Sequence, residues 1–285
     1  MHDLNGNSAP GKNSDEPGDL QSPPPPATPL TAELQRRVYD ILRLLLPHDM
    51  LGVGKRRIGG DGDGGYVLAD ILTPDQPILS LGVGPDVSFD LELAQLGHKI
   101  VMFDHTVDKL PDTHPNFTWH KLGIAAAASE DGQLRSLEEL MALLPQTGGD
   151  PVLKIDVEGA EWESLAAASP ATLRRFAQIS IELHTMLALE NPEFSNLVHR
   201  MLSRLAADFV PVHVHGNNYG ITGIIGGFAC PDTLELTYVR RDLITAIAST
   251  TWYPSEFDKP NNPERPDHLL WHFPFAPGSA AAVLA

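Results

Sequence analysis

Acids and histidines fall in three short stretches whose spacing can do chemistry. Asp156-Val-Glu158-Gly-Ala-Glu161 follows the expected strand Val152 to Ile155 and puts three carboxylates within six residues. Such crowding is costly as a purely structural device, because neighbouring like charges oppose one another's ionisation. A helix starting behind Gly159 would welcome some of that charge, and capping is the plainer role. Glu182-Leu-His184 ends a second apolar run, and residues two apart on a strand share a face. His213-Val-His215 alternates in the same way before the polar turn Gly216-Asn-Asn, as a metal-binding pair or a hydrogen-bonded turn would. Histidine serves as a base near neutral pH or as a metal ligand. The candidate catalytic residues are therefore His184, His215, Asp156 and Glu158. The candidate ligands for a divalent ion are Asp156, Glu182 and His215; oxygen ligands suit Mg2+, whereas two histidines suit a softer ion.

Side chains of this kind act only where a scaffold brings them together. Ile78 to Leu81 form an apolar run that breaks at Gly82-Val83-Gly84, and the helix-compatible segment Asp86 to Leu96 follows. A buried strand, a tight glycine turn and a helix start are the predicted elements. Glycine has no Cβ, so backbone at Gly82 and Gly84 can approach a ligand, and the free N–H groups of the helix start suit a polar or anionic partner. A second apolar run ends in Asp104, a carboxylate placed to accept both hydroxyls of a ribose. Strand, Gly-x-Gly turn, helix, strand and acid form a nucleoside-binding half of a doubly wound α/β sheet. The third glycine of the dinucleotide fingerprint is missing between Asp86 and Phe89, which favours S-adenosylmethionine over NAD. Phe117 to Ile124 is read as the third strand, with Gly123 at its tip beside the adenine. Ligands of open α/β sheets lie at the carboxyl ends of strands, so Asp156 belongs beside the same nucleoside. The expected cofactor contacts are Gly82, Val83, Gly84, Asp104, Gly123 and Asp156.

The rest of the chain frames this unit. Residues 1–30, rich in Gly, Asn, Ser, Asp and Pro, are expected to be a disordered arm, residues 31–275 the single domain and 276–285 a flexible tail. Thr31 to Pro47 is an amphipathic helix capped by Thr31, packing on the sheet or, as the alternative, forming a homodimer contact. Lys55 to Leu68 carries five glycines and two aspartates before a short strand. It is read as a flexible flap, with Arg56 and Arg57 reaching a carboxylate; its spacing is that of a calcium loop without the closing glutamate. Gly132 to Leu144 and Phe194 to Ala206 are read as helices, and Thr233 to Arg240 as a late strand of the sheet. His105 and His114 are taken as surface residues. The proline-rich loop Phe257 to Asp267 either closes over a substrate or crosses the surface.

Composition narrows the function classes. The net charge of −17 argues against nucleic acid, because phosphate contacts need clustered Lys and Arg, and points to a neutral or cationic small molecule. Cys230 is the only cysteine, which rules out an internal disulfide and a cysteine zinc site and fits a reducing, cytoplasmic setting. No apolar run approaches the roughly 20 residues of a membrane helix, and the N-terminus lacks the basic-then-apolar order of a signal peptide.

Taken together, Arg57 to Val67, Ser80-Leu-Gly-Val-Gly84, Lys154-Ile-Asp-Val-Glu-Gly-Ala-Glu-Trp162, Glu182-Leu-His184, His215-Gly-Asn-Asn218 and Pro260-Asn-Asn-Pro263 resemble the FkbM-like S-adenosylmethionine-dependent methyltransferases. The resemblance is strongest to the branch of methyltransferase-like human proteins and bacterial sugar O-methyltransferases, and runs from about Arg57 to Asp267. It implies a Rossmann-like seven-strand methyltransferase sheet with a late antiparallel strand, the cofactor over Gly82 and Gly84, and Asp104 on the ribose. The expected activity is O-methyl transfer to a hydroxyl of a sugar, glycoside or natural product, assisted by a divalent ion such as Mg2+. The alternatives are a non-catalytic cofactor-binding module of the same fold and a nicotinamide-dependent oxidoreductase.

Overall fold

The computed structural model describes residues 30–280, so the expected arm up to residue 29 and the tail from residue 281 lie outside the described residues. In chain order the elements are α1 (Ala32–Leu42), β1 (His48–Met50), β2 (Lys55–Ile58), β3 (Tyr66–Ala69), β4 (Ile78–Leu81), α2 (Ser88–Gln95), β5 (Ile100–Phe103), β6 (Phe117–His120), β7 (Gly123–Ile124) and β8 (Leu134–Arg135). They continue with α3 (Leu137–Met141), β9 (Val152–Ile155), α4 (Ala160–Ala167), α5 (Pro170–Leu173), β10 (Gln178–Leu183), α6 (Pro192–Asp208), β11 (Phe209–Gly216), β12 (Thr222–Ile225), β13 (Phe228–Pro231), β14 (Leu234–Arg240) and β15 (Ala246–Ala248).

Seven strands form one sheet in the order β11-β14-β10-β9-β4-β5-β6. β10, β9, β4, β5 and β6 run parallel, and β14 pairs antiparallel with both β10 and β11. This is a doubly wound, Rossmann-like seven-strand sheet with the expected late antiparallel strand. Strands β4, β5, β9 and β10 are buried along their whole length, as strands covered on both faces are. On one face Leu79, Leu81, Val101, Leu153, Ile155 and Ile181 pack against side chains of α1, α4 and α6. On the other, Ile78, Ile100, Met102 and Val152 meet Phe89 and Leu93 of α2 and Ile58, Tyr66 and Leu68 of the β2–β3 hairpin. No helix among the described residues is long and apolar enough to cross a membrane.

Helix α1 forms as its pattern predicts. Thr31 Oγ1 accepts the Leu34 N–H at 3.1 Å, and Leu34, Val38, Ile41 and Leu42 are buried in contact with the core shared with α6. The apolar face of α1 is thus covered within the chain.

Three local expectations are corrected. The predicted third strand stops at His120, and Gly123–Ile124 pairs instead with Leu134–Arg135 in a separate two-stranded sheet. The helix predicted from Gly132 begins at Leu137, because Ser136 and Glu139 close a reciprocal capping box that fixes the start there. The glycine loop is a packed turn, not a flap. Arg57 donates to the carbonyls of Gly60 and Gly62 at 2.8 Å each, and a Cβ on Gly65 would lie 2.1 Å from the Gly60 carbonyl oxygen. Close backbone approach therefore explains the glycine density.

Candidate active site

β4 is the strand where the sheet order reverses, with β5 on one side and β9 on the other. A cavity of about 500 Å³ opens at its carboxyl end, where such sheets bind ligands. Gly82 has φ +77°, and a Cβ there would fall 1.6 Å from the carbonyl oxygen of Asp156, so only glycine lets the tips of β4 and β9 meet. Gly84 has φ +61°, but its Cβ position has no heavy atom within 4 Å and faces open space.

Asp104 brackets this turn. Its Oδ2 accepts the N–H groups of Val83 and Gly84 at 2.9 and 3.3 Å, and its Oδ1 accepts the Thr106 N–H and hydroxyl at 2.7 and 2.6 Å. Burial pushes the carboxyl up, but these bonds outweigh it and hold it below the usual carboxylate range. Both oxygens are engaged within the protein, so the expected ribose contact requires the Thr106 hydroxyl to rotate away. Gly123 lies against His105, whose Nδ1 would be 2.4 Å from a Cβ at that glycine. His105 is exposed, as expected from the sequence, and also lines the cavity.

Below the turn the cavity meets a buried polar group. Asp90 and Ser80 are buried side by side; the Ser80 hydroxyl stabilises the Asp90 carboxylate, and Asp90 Oδ1 has no well-formed hydrogen bond. Burial pushes Asp90 up to about 6 against the opposing charge of Lys154. Lys154, beside Ser80 in the parallel β4–β9 register, donates to the Gly82 carbonyl and lies 5.3 Å from the centre of the Tyr66 ring. Orphaned buried polar atoms are rare enough that each calls for a partner.

The acids after β9 gather around one histidine. Asp156 Oδ2 accepts the Tyr66 hydroxyl at 2.9 Å. Glu158 has φ +54°, a left-handed conformation that non-glycine residues adopt at a cost of about 1–3 kcal/mol and that recurs at functional turns. Glu161 is fully buried; its Oε2 accepts the Gly159 N–H at 2.8 Å and its Oε1 accepts the His184 N–H at 3.0 Å. His184 sits just past β10 with Nδ1 3.1 Å from Glu161, and its Nε2 lies 3.3, 3.5 and 3.8 Å from Glu182, Glu158 and Asp156. Burial opposes a charge on the ring, but its bonds to Glu161 and Glu182 and their fields raise its pKa far above the ordinary value. Both ring nitrogens face carboxylates, an arrangement that favours the protonated ring over a free base. Burial, reinforced by Asp156 and Glu235, likewise raises Glu182.

His215 is held apart from this group. Its Nδ1 lies 3.1 Å from Glu235 and its Nε2 3.0 Å from Asp267, one strand beyond β14. Those bonds overcome burial and raise it to about 10. Both nitrogens are committed, so His215 serves neither as the base nor as the metal ligand expected of it. His213 pairs separately with Asp258 at 2.7 Å. The expected trio Asp156, Glu182 and His215 therefore does not converge. Among the described residues, two other groups bring ligand atoms within 4.8 Å of one another: Asp156, Glu158 and His184, and Asp63, Glu182 and Glu235.

The structure thus assembles Gly82, Val83, Gly84, Asp104, Gly123, Asp156 and Glu158 around one cavity, with His184 and Glu182 beside Asp156. It adds Asp63, Tyr66, Asp90, His105 and Lys154 as lining residues that sequence reasoning gave no role. Lys154 stood inside the Lys-Ile-Asp-Val-Glu motif, where an acid-adjacent lysine was a readable signal. Asp90 and Tyr66 carried none, because only burial marks them out.

No family model matches the chain, and no curated protein matches it. Among solved structures, the chain is similar to one in a fibrillarin/Nop5p complex at 15% identity, over 59% of this chain and 74% of that one, with a TM-score of 0.38. It is also similar to the 16S rRNA (adenine(1408)-N(1))-methyltransferase of Catenulisporales acidiphilia at 13% identity, covering 65% and 97% of the two chains, TM-score 0.30. A third is the 1,6-didemethyltoxoflavin-N1-methyltransferase of Burkholderia thailandensis with bound S-adenosylhomocysteine, at 14% identity over 58% and 72%, TM-score 0.29. At such TM-scores these likenesses bear on neither the reaction nor the acceptor.

Proposed function

We propose that this protein transfers the methyl group of S-adenosylmethionine to a hydroxyl of a small polyhydroxyl acceptor such as a sugar or glycoside. The observation that carries this reading is the cavity at the sheet's reversal point, where the Gly82–Gly84 turn, Asp104 and Asp156 meet beside the buried Asp90 carboxyl. Its chemistry fits the cofactor. Open space over Gly84 admits a ligand close to the backbone, Asp104 stands where a ribose would lie, and Asp90 Oδ1, buried without a well-formed hydrogen bond, suits an ammonium group. The surrounding carboxylates favour a sulfonium cation.

S-adenosylmethionine supplies an electrophilic methyl on a cationic sulfur. The chain's part is to hold the acceptor oxygen in line and to take its proton. An oxygen gaining a methyl becomes strongly acidic as the new bond forms, so a carboxylate is a sufficient acceptor. Asp156 takes this role, with Glu158 at the rim, and the O–H electron pair stays on the ether oxygen. His184 acts as a positioning residue that holds these acids together. A divalent ion would sit on Asp156, Glu158 and a deprotonated His184, where it would acidify the hydroxyl.

Calorimetry with S-adenosylhomocysteine and with NADH, followed by transfer of labelled methyl to a panel of sugars and glycosides, tests the reading. S-adenosylhomocysteine is expected to bind, NADH not, and label to reach an acceptor; Asp156→Asn is expected to keep binding and lose transfer. Binding of NADH alone would return the oxidoreductase reading. Binding without transfer to any acceptor would return the non-catalytic module.

A further inference from the structure

The cavity has two ends, marked by Asp104 and Asp156. Asp104 follows β5, on one side of the reversal strand β4, and Asp156 follows β9, on the other. A nucleoside on Asp104 leaves the Asp156 end for the acceptor. That end is completed from far along the chain. β14 runs antiparallel to both β10 and β11, so β11 points the same way as β10 and releases the turn Asn217-Asn218-Tyr219 at the carboxyl end of the sheet. Asn217 Nδ2 ties this turn to the acids there, donating to Asp63 and Glu182 at 3.1 and 3.0 Å. Tyr219 lines the cavity together with Asp63, Asp156 and Glu158.

Tyr219 combines a fixed backbone with a free side chain. Its N–H donates to Asn217 Oδ1 at 2.9 Å, and its carbonyl accepts Arg265 Nη1 at 3.0 Å. Asn218 Nδ2 donates to the Asn262 carbonyl at 2.9 Å and its Oδ1 accepts the Asn262 N–H at 2.7 Å, which fastens the turn to the proline-rich loop. The Tyr219 side chain, in contrast, is 55% exposed, and its hydroxyl makes no hydrogen bond among the described residues. Of the large apolar and aromatic residues exposed among the described residues, Tyr219 alone lines this cavity. A ring presented on a rigid turn loses little freedom when a ligand lies on it.

The charges at this end choose the ligand. Three of the residues around Tyr219 are acids, and Lys154 is the only lysine or arginine lining the cavity. Its ammonium is engaged by the Gly82 carbonyl and by Asp156. A phosphate or carboxylate brought to Tyr219 therefore meets a field of its own sign. The C–H face of a sugar ring does not, and the negative face of an aromatic ring attracts such polarised C–H groups. Hydroxyls on the edge of a sugar so placed are free to approach Asp156.

We infer that the Tyr219 ring is the platform on which the acceptor lies, and that the acceptor is a neutral or cationic pyranoside without phosphate or carboxylate. This inference rests on the methyl-transfer reading and adds to it the residue and the charge rule that select the acceptor.

The test is saturation-transfer NMR on the full chain, with and without S-adenosylhomocysteine. The probes are the methyl glycosides of glucose, galactose and mannose, with their 2-amino, uronate and 6-phosphate forms. Ring C–H protons of at least one neutral or amino probe should be saturated, and those of its uronate and phosphate forms should not. Tyr219→Ala should weaken that probe about fivefold or more, and Tyr219→Phe, which keeps the ring, should hold it within about twofold. Circular dichroism establishes that both variants fold. A neutral probe unmoved by Tyr219→Ala, or bound no better than its uronate and phosphate forms, overturns the inference. So does equal loss in Tyr219→Phe and Tyr219→Ala, or no saturation of any neutral or amino probe. Sugars that bind through Tyr219 to a chain that does not bind S-adenosylhomocysteine, read by calorimetry, strike the transfer reading and leave the platform standing.

Discussion

Alanine at Gly82 and at Gly84 should fail in opposite ways. Both residues have positive φ, so any L side chain costs about 1–2 kcal/mol there. At Gly84 nothing lies within 4 Å of the new methyl, so that cost is the whole effect on stability. In a chain of this size it corresponds to about 2–8 °C of thermal midpoint. The methyl does stand in the open space of the cavity, and S-adenosylhomocysteine affinity should drop at least tenfold, about 1.4 kcal/mol. At Gly82 the methyl lands 1.6 Å from a backbone oxygen of Asp156, and β4 and β9 must separate to admit it. Overpacking of this kind adds about 1–3 kcal/mol, for a total of roughly 2–5 kcal/mol. Thermal denaturation and calorimetry on the two variants read both quantities. Unchanged ligand affinity in Gly84→Ala would refute the turn as the ligand cradle. Equal midpoints for the two variants would refute the close contact between strand tips.

Two further outcomes follow from the titrating groups. In metal-free protein the His184 ring should remain protonated at pH 8, because its pKa lies near 11 and the stability it contributes is present below about pH 6.5 and lost only as pH rises through the folded value; imidazole carbon and nitrogen shifts that titrate near 6.5 would contradict this. Asp90 is raised to about 6 by burial, so its folded form holds a proton that the unfolded chain has released, and stability falls as pH rises from about 4 through 6. Asp90→Asn should therefore stabilise by roughly 3 kcal/mol at pH 8, about 6–12 °C, and by roughly half as much at pH 5; a midpoint difference that does not change with pH would contradict it.

The parallel half of the sheet was legible because local patterns carry it. Ile78–Leu81, Ile100–Phe103 and Val152–Ile155 are short apolar runs, each closed by a glycine or an acid, and each became a buried strand. Gly82, Asp104 and Asp156 were likewise readable, since strand-end position is a sequence property in a doubly wound sheet. Residues 132–144 were misread because helical spacing of leucines was allowed to outweigh the Ser136–Glu139 box within it. The histidines were misjudged for a different reason. Residue type shows that His184 and His215 can accept a proton, but their protonation is set by Glu161, Glu235 and Asp267, which lie 23, 20 and 52 residues away along the chain. Burial of Asp90 is also a product of packing, with no local signature.

The β2–β3 hairpin precedes every strand of the large sheet in the chain, yet Asp63 at its turn bonds to Asn261, 198 residues later. During synthesis the hairpin emerges long before the residues it must meet, and loop-closure entropy delays such distant contacts. The sheet can therefore assemble while the pocket rim is still open. The segment from Tyr253 onward therefore does two jobs at once: Tyr253, Leu270 and Phe275 complete the main core, while Asp258, Asn261 and Asp267 reach the far edge of the sheet and the glycine loop.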